Sequence, residues 1–192
     1  MPSDDPFEGE AFPVARAKAI KYVLENERIY INEHDYFVGL YSLSRLANRT
    51  TFDKWAKDSQ SLRDTDTLEC SRGFNNSGAV MIWTDYDHVV PDWKSLMELG
   101  FSGIRERARE YKRKHKENGT LNSEMTAFFE GIEIQYTAII ELIDRMYRMA
   151  LKQSFEKAPQ IAKCLKTLRD GKPNSFYEAL QLIYIFFIIS ES

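Results

Sequence analysis

Residues 173–192, which read PNSFYEALQLIYIFFIISES, decide the fold. Ser175 followed by Glu178 is the pattern of a capping box, in which two side chains satisfy free backbone N–H groups at a helix start. An almost unbroken apolar run follows over residues 179–189. A helix that is apolar on every side requires burial on every side. We therefore expect a core helix in a chain that stops before the rest of its core, as a fragment of a larger fold would.

Composition and charge exclude several classes of protein. The apolar run is shorter than the roughly 20 residues of a membrane span, and Gln181 interrupts it. The chain has 192 residues, 43% of them hydrophobic, and a net charge of -3, so no overall basicity points to nucleic acid or an anionic membrane. The acidic, polar start does not resemble a signal peptide. Two isolated cysteines, Cys70 and Cys164, fit a reducing compartment, and we expect a cytoplasmic protein.

The first forty residues predict one helix and a small β unit. Residues 1–12 are expected to be a flexible leader. Pro13 suits the first turn of a helix that ends near Asn26. Short β-like runs at 29–31 and 36–38 flank turn-forming residues, and Gly39 closes this unit. Residues 40–80 show no lasting period.

The rest of the chain predicts a mainly α fold. Asp92 is a candidate N-cap for an amphipathic helix of about five turns, ending near residues 118–119. Gly100 and Gly103 within it indicate that another element packs closely there. Residues 123–153 are expected to form the longest helix, with one broad apolar stripe: Phe128 or Phe129, Ile132, Tyr136, Ile139 or Ile140, Ile143, Met146 or Tyr147, and Ala150. A shorter helix follows, with Ile161, Leu165 and Leu168 on one side.

Three segments carry family motifs in a fixed order. Residues 173–192 are similar to P-x-(S/T)-F-x-E-A-L-Q-L…E-S. Residues 13–39, PVARAKAIKYVLENERIYINEHDYFVG, are similar to an early helix followed by I-Y-I-x-x-x-(D/E)-x-x-V-G. Residues 88–107, HVVPDWKSLMELGFSGIRER, are similar to G-H-x-x-P-D-(Y/W)-x-x-(V/L)-L…G-(L/F)-x-G-I. Together they resemble the glycyl radical enzymes, the family of pyruvate formate-lyase and the diol dehydratases.

The resemblance implies which part of such an enzyme this chain supplies. Residues 13–192 would be a partial N-terminal domain, mostly helical, truncated before the core of the family's ten-stranded α/β barrel. In the family, a glycyl radical late in the chain oxidises a mid-chain cysteine, whose thiyl radical takes a hydrogen atom from the substrate. The family's R-V-x-G-(Y/F) motif and cysteine loop are missing from this sequence, and neither Cys70 nor Cys164 lies where the radical cysteine would be. We expect no catalytic residue and no turnover in this chain alone.

The resemblance also implies the parent protein and its partners. The parent would be a cytoplasmic, oxygen-sensitive enzyme of anaerobic metabolism: a lyase, dehydratase, decarboxylase or formate acetyltransferase acting on a small substrate. It would bind no cofactor and would carry a glycyl radical installed by a radical SAM activating enzyme. The expected partners are the small-molecule substrate, the activase, the remaining barrel and, as a family tendency, a second copy in a homodimer.

His88 is the first candidate for substrate binding. The resemblance implies that a histidine at this motif position hydrogen-bonds a substrate hydroxyl, and imidazole can both donate and accept near neutral pH. Asp87 replaces the family's usual glycine, which would alter the geometry and charge of the pocket, and Asp85 could face the same pocket. In the alternative interpretation, His88 and Asp87 cap the next helix or bond a loop backbone.

Other functions follow from single features of the sequence. A stand-alone helical interaction protein could use the apolar C-terminal helix to bind a partner. The basic residues within 105–116 could contact nucleic acid. However, Glu106, Glu110 and Glu117 are interleaved with them, which favours a solvated helix face. His34, His88 and His115 are far apart, and the sequence has no metal-ligand spacing, phosphate-binding loop or nucleophile elbow.

Overall fold

The computed structural model describes residues 7, 9–40 and 91–190. The chain divides into two units, Met1–Ala47 with Asp92–Ser192, and Asn48–Pro91. Every element named below belongs to the first unit, and the described residues confirm the prediction of a mainly α structure. The elements in chain order are α1 (Phe12–Asn26), β1 (Ile29–Tyr30), β2 (Gly39–Leu40), α2 (Trp93–Glu117), α3 (Ser123–Leu151), α4 (Ala158–Asp170) and α5 (Phe176–Ser190).

Helix α3 is the centre of the unit, and α1, α2 and α4 all pack against it. Gly131 allows α1 to approach closely, because a Cβ at this position would lie 2.7 Å from the carbonyl oxygen of Pro13. Of the alternatives for the stripe's start, Phe129 is half-buried near His115, whereas Phe128 is 54% exposed. The core is made of buried side chains from several helices, among them Leu24, Leu142, Ile143, Met146, Ile161, Leu165, Leu168, Leu182 and Ile185.

Helix α2 differs from the continuous helix that its period predicts. Gly100 has φ 66° and ψ 179°, so the helix is kinked there. A Cβ at Gly100 would lie 2.1 Å from the carbonyl oxygen of Gly171, which places the turn between α4 and α5 directly against the kink. The predicted close packing is therefore confirmed at Gly100. At Gly103 it is wrong, since the nearest atoms to a Cβ there belong to Leu99 of the same helix.

The first strand of the β unit lies within its predicted run, 29–31, but the second lies later than predicted. Strands β1 and β2 pair antiparallel, with Ile29 opposite Leu40 and Tyr30 opposite Gly39. The second strand was expected at 36–38, with Gly39 closing the unit. This position is wrong, because Gly39 itself lies in the strand. The backbone of Val38 bonds to the side chain of Gln181 from α5 instead of to a strand.

Helix ends follow the capping residues that the sequence offers. The Asp92 carboxylate accepts a hydrogen bond from the backbone N–H of Ser95 at 3.0 Å, which confirms the predicted N-cap of α2. At the start of α5, Ser175 Oγ accepts from the N–H of Glu178 at 3.3 Å. The Glu178 carboxylate accepts from the N–H of Asn174 at 2.7 Å, one residue earlier than in a standard capping box.

Candidate functional site

The predicted site residues fall on a part of the chain that the structure does not describe. His88, Asp87 and Asp85 lie outside the described residues, as do Cys70 and most of the predicted leader. The structure does place the end of the same motif, where Pro91 leads into α2.

Asp92 serves as a helix cap in this motif. Hydrogen bonds donated by the side chain and backbone of Ser95 hold the pKa of the Asp92 carboxyl below its ordinary value, and the positive charge of Arg107 acts in the same direction. Arg107 also donates a hydrogen bond to Ser95 Oγ at 3.0 Å. The carboxylate of Asp92 is thereby committed to organising the first turn of α2.

Exchanging Asp92 for asparagine is expected to remove an acid-sensitive part of the stability. The folded-state pKa is lowered, so the carboxylate stabilises the fold above its unfolded pKa of about 3.8, and this stabilisation is lost as pH falls through the folded value. Asp92→Asn keeps a cap acceptor but does not titrate. In urea unfolding between pH 7 and pH 2.5, the free energy of unfolding of the wild type should be higher than that of the variant near neutrality. This difference should disappear as the pH falls. A constant difference across this range would contradict the assignment.

Helix α5 brings the three motif-bearing segments together. The Val38 N–H donates to Gln181 Oε1 at 3.0 Å, and the hydroxyl of Tyr177 donates to the carbonyl of Tyr36. The ring of Trp93, in the first turn of α2, meets that of Phe186 edge-on at 5.2 Å between centroids. The segments 13–39, 88–107 and 173–192 therefore share one packing centre, although they are far apart in sequence.

An open aromatic depression of about 430 Å³ lies where α5 meets the loop before β2. The Phe37 ring stacks on Tyr177 with centroids 5.5 Å apart and packs against Tyr184 at 6.0 Å. Burial raises the pKa of Tyr177 to about 12, so its hydroxyl stays protonated and bonded to Tyr36 at neutral pH. The depression therefore combines aromatic contact area with two polar residues, His34 and Asp35, that also line it.

Cys164, a cysteine among the described residues, is part of the core. Cys164 is 2% exposed on α4, and burial raises the pKa of its thiol to about 12. A buried thiol of this kind behaves as a small apolar side chain. Among the described ranges, no group of three or more His, Cys, Asp or Glu residues could hold a metal ion. No helix in the same ranges is long and apolar enough to cross a bilayer.

The basic face of α2 is paired with its interleaved carboxylates. Arg113 bonds to Glu117 at 2.8 Å, and Lys114 to Glu110 at 2.6 Å. Arg109 binds Glu133 of α3, so this face also links two helices. These pairs match the prediction of a solvated face whose charges are interleaved.

Two polar anchors were not recognised from the sequence. Gln181 is fully buried and holds Val38. Arg145 of α3 donates to the carbonyls of Leu24 and Glu27 at 2.6 and 2.7 Å, which satisfies the free carbonyls at the end of α1. For Gln181 the available signal was a single amide within an otherwise apolar run, whereas Arg145 lies among other charged residues and gave no such signal. In neither case does the sequence identify the partner.

Comparison with known proteins places the chain in a family. Residues 65–191 match the sequence model of the family described as Pyruvate formate lyase-like, which is about two thirds of the chain. The chain belongs to this family. The match includes segment 88–107 and nearly all of segment 173–192, whereas segment 13–39 lies before it. No curated protein matches the chain.

Two solved structures share the fold of this pyruvate formate lyase-like chain. A glycyl radical enzyme from Archaeoglobus fulgidus aligns with a TM-score of 0.68 at 20% identity, over 95% of this chain and 30% of its own. The glycerol-bound B12-independent glycerol dehydratase from Clostridium butyricum aligns with a TM-score of 0.63 at 21% identity, over 97% of this chain and 30% of its own. The resemblance to glycyl radical enzymes is confirmed, and the chain spans about 30% of the length of either structure.

Proposed function

We propose that this chain is the N-terminal, mostly helical part of a glycyl radical enzyme, truncated before the barrel core. The observation that carries the proposal is the family match together with the share of the related structures that the chain spans, about 30%. The whole enzyme would be a radical lyase, dehydratase, decarboxylase or formate acetyltransferase acting on a small substrate in an anaerobic cytoplasm. This chain alone would have no turnover.

The outer face of α5 supports the proposal. Leu182 and Ile185 are fully buried, but on the other side Phe176, Tyr184 and Phe187 are 79%, 43% and 49% exposed. Positions 176, 184 and 187 lie within an arc of about 80° around the helix, because successive residues are about 100° apart. Large exposed apolar faces usually mark contact surfaces. In the proposal, the remaining barrel of the same protein covers this face.

The radical chemistry is assigned to residues outside this chain. When present, the glycyl radical supplies hydrogen-atom abstraction through a cysteine, and a radical SAM activating enzyme would install it. The described residues contribute a scaffold: α5 fixes the loop before β2 through Gln181 and the start of α2 through Trp93. That scaffold would position the segment ending at His88 beside a pocket completed by the barrel.

The decisive experiment reads the coding sequence that follows the Ser192 codon and then examines the complete protein. A continuing frame with a mid-chain cysteine loop and a late R-V-x-G motif supports the proposal. Anaerobic incubation of that protein with S-adenosylmethionine, the activase and a one-electron reductant should then give the EPR signal of a glycyl radical. A stop codon without such a sequence nearby would reject the proposal and favour the helical interaction protein, with the outer face of α5 as its contact surface.

His88 is proposed to hydrogen-bond the substrate of the complete enzyme, in a pocket that Asp87 and Asp85 also line. Removing one hydrogen bond to a substrate weakens binding by about 1 kcal/mol or more, so His88→Ala should lower kcat/KM at least about fivefold. His34→Ala is the matched control, because its imidazole is 87% exposed beside Glu33. Equal activity of the two variants would refute the role of His88 and leave it as a loop or capping residue.

A further inference from the structure

A second depression, at the opposite end of α1 from Pro13, has a strongly basic lining. It has a volume of about 500 Å³ and lies between the connection from α1 to β1 and the last turns of α3. Four cationic side chains and one carboxylate line it: Arg28, Arg145, Arg148, Lys152 and Glu27. We call it the basic depression. Its size falls within the range of small-molecule sites in proteins.

The helical spacing of the cationic residues brings their side chains to the same side of the basic depression. Arg145 and Arg148 are three residues apart on α3, and Lys152, four residues further on, is its C-cap in a helical conformation, so all three project from the same side. Arg28 reaches the same depression from the connection that follows α1. Like charges placed this close repel one another, and an anion bound between them would relieve that repulsion.

Arg145 lines the basic depression with a side chain that is held in one conformation by two hydrogen bonds. Its two terminal nitrogens donate to the carbonyls of Leu24 and Glu27, which ties the end of α1 to α3. The side chain is therefore held in place before any ligand arrives, while its positive charge remains. A preorganised charge of this kind loses little conformational entropy on binding.

The other three cationic side chains, those of Arg28, Arg148 and Lys152, are available to bind a ligand. Within the described part of the chain, neither Arg28 nor Lys152 forms an ion pair, and both are exposed. Arg148 bonds to Asp144 at 2.7 Å, but Asp144 also bonds to Arg169 at 2.7 Å, so one carboxylate serves two guanidinium groups. Arg148 is 72% exposed and can turn toward the depression.

We propose that the basic depression binds a small organic anion with two or more negative charges, such as a phosphate ester or a polycarboxylate. Guanidinium groups match both chemistries, since the planar fork of Arg28 or Arg148 can donate two hydrogen bonds to two oxygens of a phosphate or carboxylate. Ile29 and Met149 add apolar lining for the carbon part of such a ligand. The site does not depend on the radical chemistry proposed above.

The test is isothermal titration of the full chain with pyrophosphate and, separately, with citrate, at constant ionic strength. Saturable one-to-one binding is expected, and the tighter probe identifies the class of anion. Each lost charge-assisted bond should weaken binding roughly tenfold or more, so the double variant Arg28→Ala, Lys152→Ala should lose nearly all affinity. Arg148→Ala, a single exposed change, should lose about tenfold.

A control separates this site from general charge attraction. Lys116→Ala, Lys163→Ala removes the same charge from exposed helix positions outside the basic depression and should change affinity by less than about twofold. Equal weakening by the two double variants would overturn the proposal. So would heats that show no saturation with either probe, because they would indicate only solvated cations.

Discussion

Gly100→Ala is expected to destabilise the fold by about 3–5 kcal/mol, through backbone strain and overlap together. At φ 66° and ψ 179°, Gly100 occupies a region that is essentially restricted to glycine. The new methyl group would also lie 2.1 Å from the carbonyl oxygen of Gly171. Because that oxygen belongs to the backbone of the turn between α4 and α5, no side-chain rotation can relieve the overlap.

Gly119→Ala is the matched control in the same helix. Gly119 also has a positive φ, 68°, but a Cβ there would meet nothing within 4 Å. It ends α2 in a Schellman motif, with Thr120 N–H donating to the carbonyl of His115 at 2.9 Å. Its replacement should cost about 1 kcal/mol, from conformation alone. Urea unfolding of both variants gives the comparison, and equal losses would show that the contact with Gly171 does not matter.

Gln181→Leu is expected to cost about 2–4 kcal/mol, although it places a more apolar residue in the core. The amide of Gln181 accepts from the N–H of Val38 at 3.0 Å and donates to its carbonyl at 3.4 Å. Both groups are buried, so the variant leaves a backbone donor and acceptor without partners. Leucine has nearly the same volume, so cavity formation contributes little.

The effect of Gln181→Leu can be measured both at Val38, by amide hydrogen exchange, and for the whole fold, by the free energy of unfolding. Amide hydrogen exchange at Val38 should accelerate in Gln181→Leu beyond the change that global destabilisation explains. Gln160→Leu, at an exposed position of α4, is the control and should change the free energy of unfolding by less than about 0.5 kcal/mol. If Val38 remains as protected as in the wild type, water or another group satisfies its backbone and the predicted loss is wrong.

Features that depend only on neighbouring residues were predicted correctly from the sequence. Pro13 in the first turn of α1 and Asp92 as the cap of α2 are confirmed, because each acts on backbone groups within four residues of itself. The apolar stripe of α3 was found for the same reason, since its period depends only on helix geometry. The family was recognised from short motifs in a fixed order, and the match of residues 65–191 to the family model confirms it.

Features that depend on distant partners were not recovered. The position of β2 was predicted incorrectly, because Val38 fits the pattern of a strand residue. Its backbone forms hydrogen bonds with the side chain of Gln181, far along the chain, instead of with a neighbouring strand. The kink at Gly100 was missed because its cause is the backbone of Gly171 on another element. The basic depression combines Arg28 with cations of α3, and no local pattern links them.

The helices, most of their ends and the family could be predicted from the sequence, because periodicity, capping and motifs act over a few residues. The packing of α5 against the described parts of the other two family segments, through Gln181, Tyr177 and the Trp93–Phe186 contact, became visible only in the folded chain. The physical reason is that buried polar groups and close backbone contacts must be satisfied by whichever element folding brings near. A linear pattern can show that such a group needs a partner, but only the packed chain supplies it.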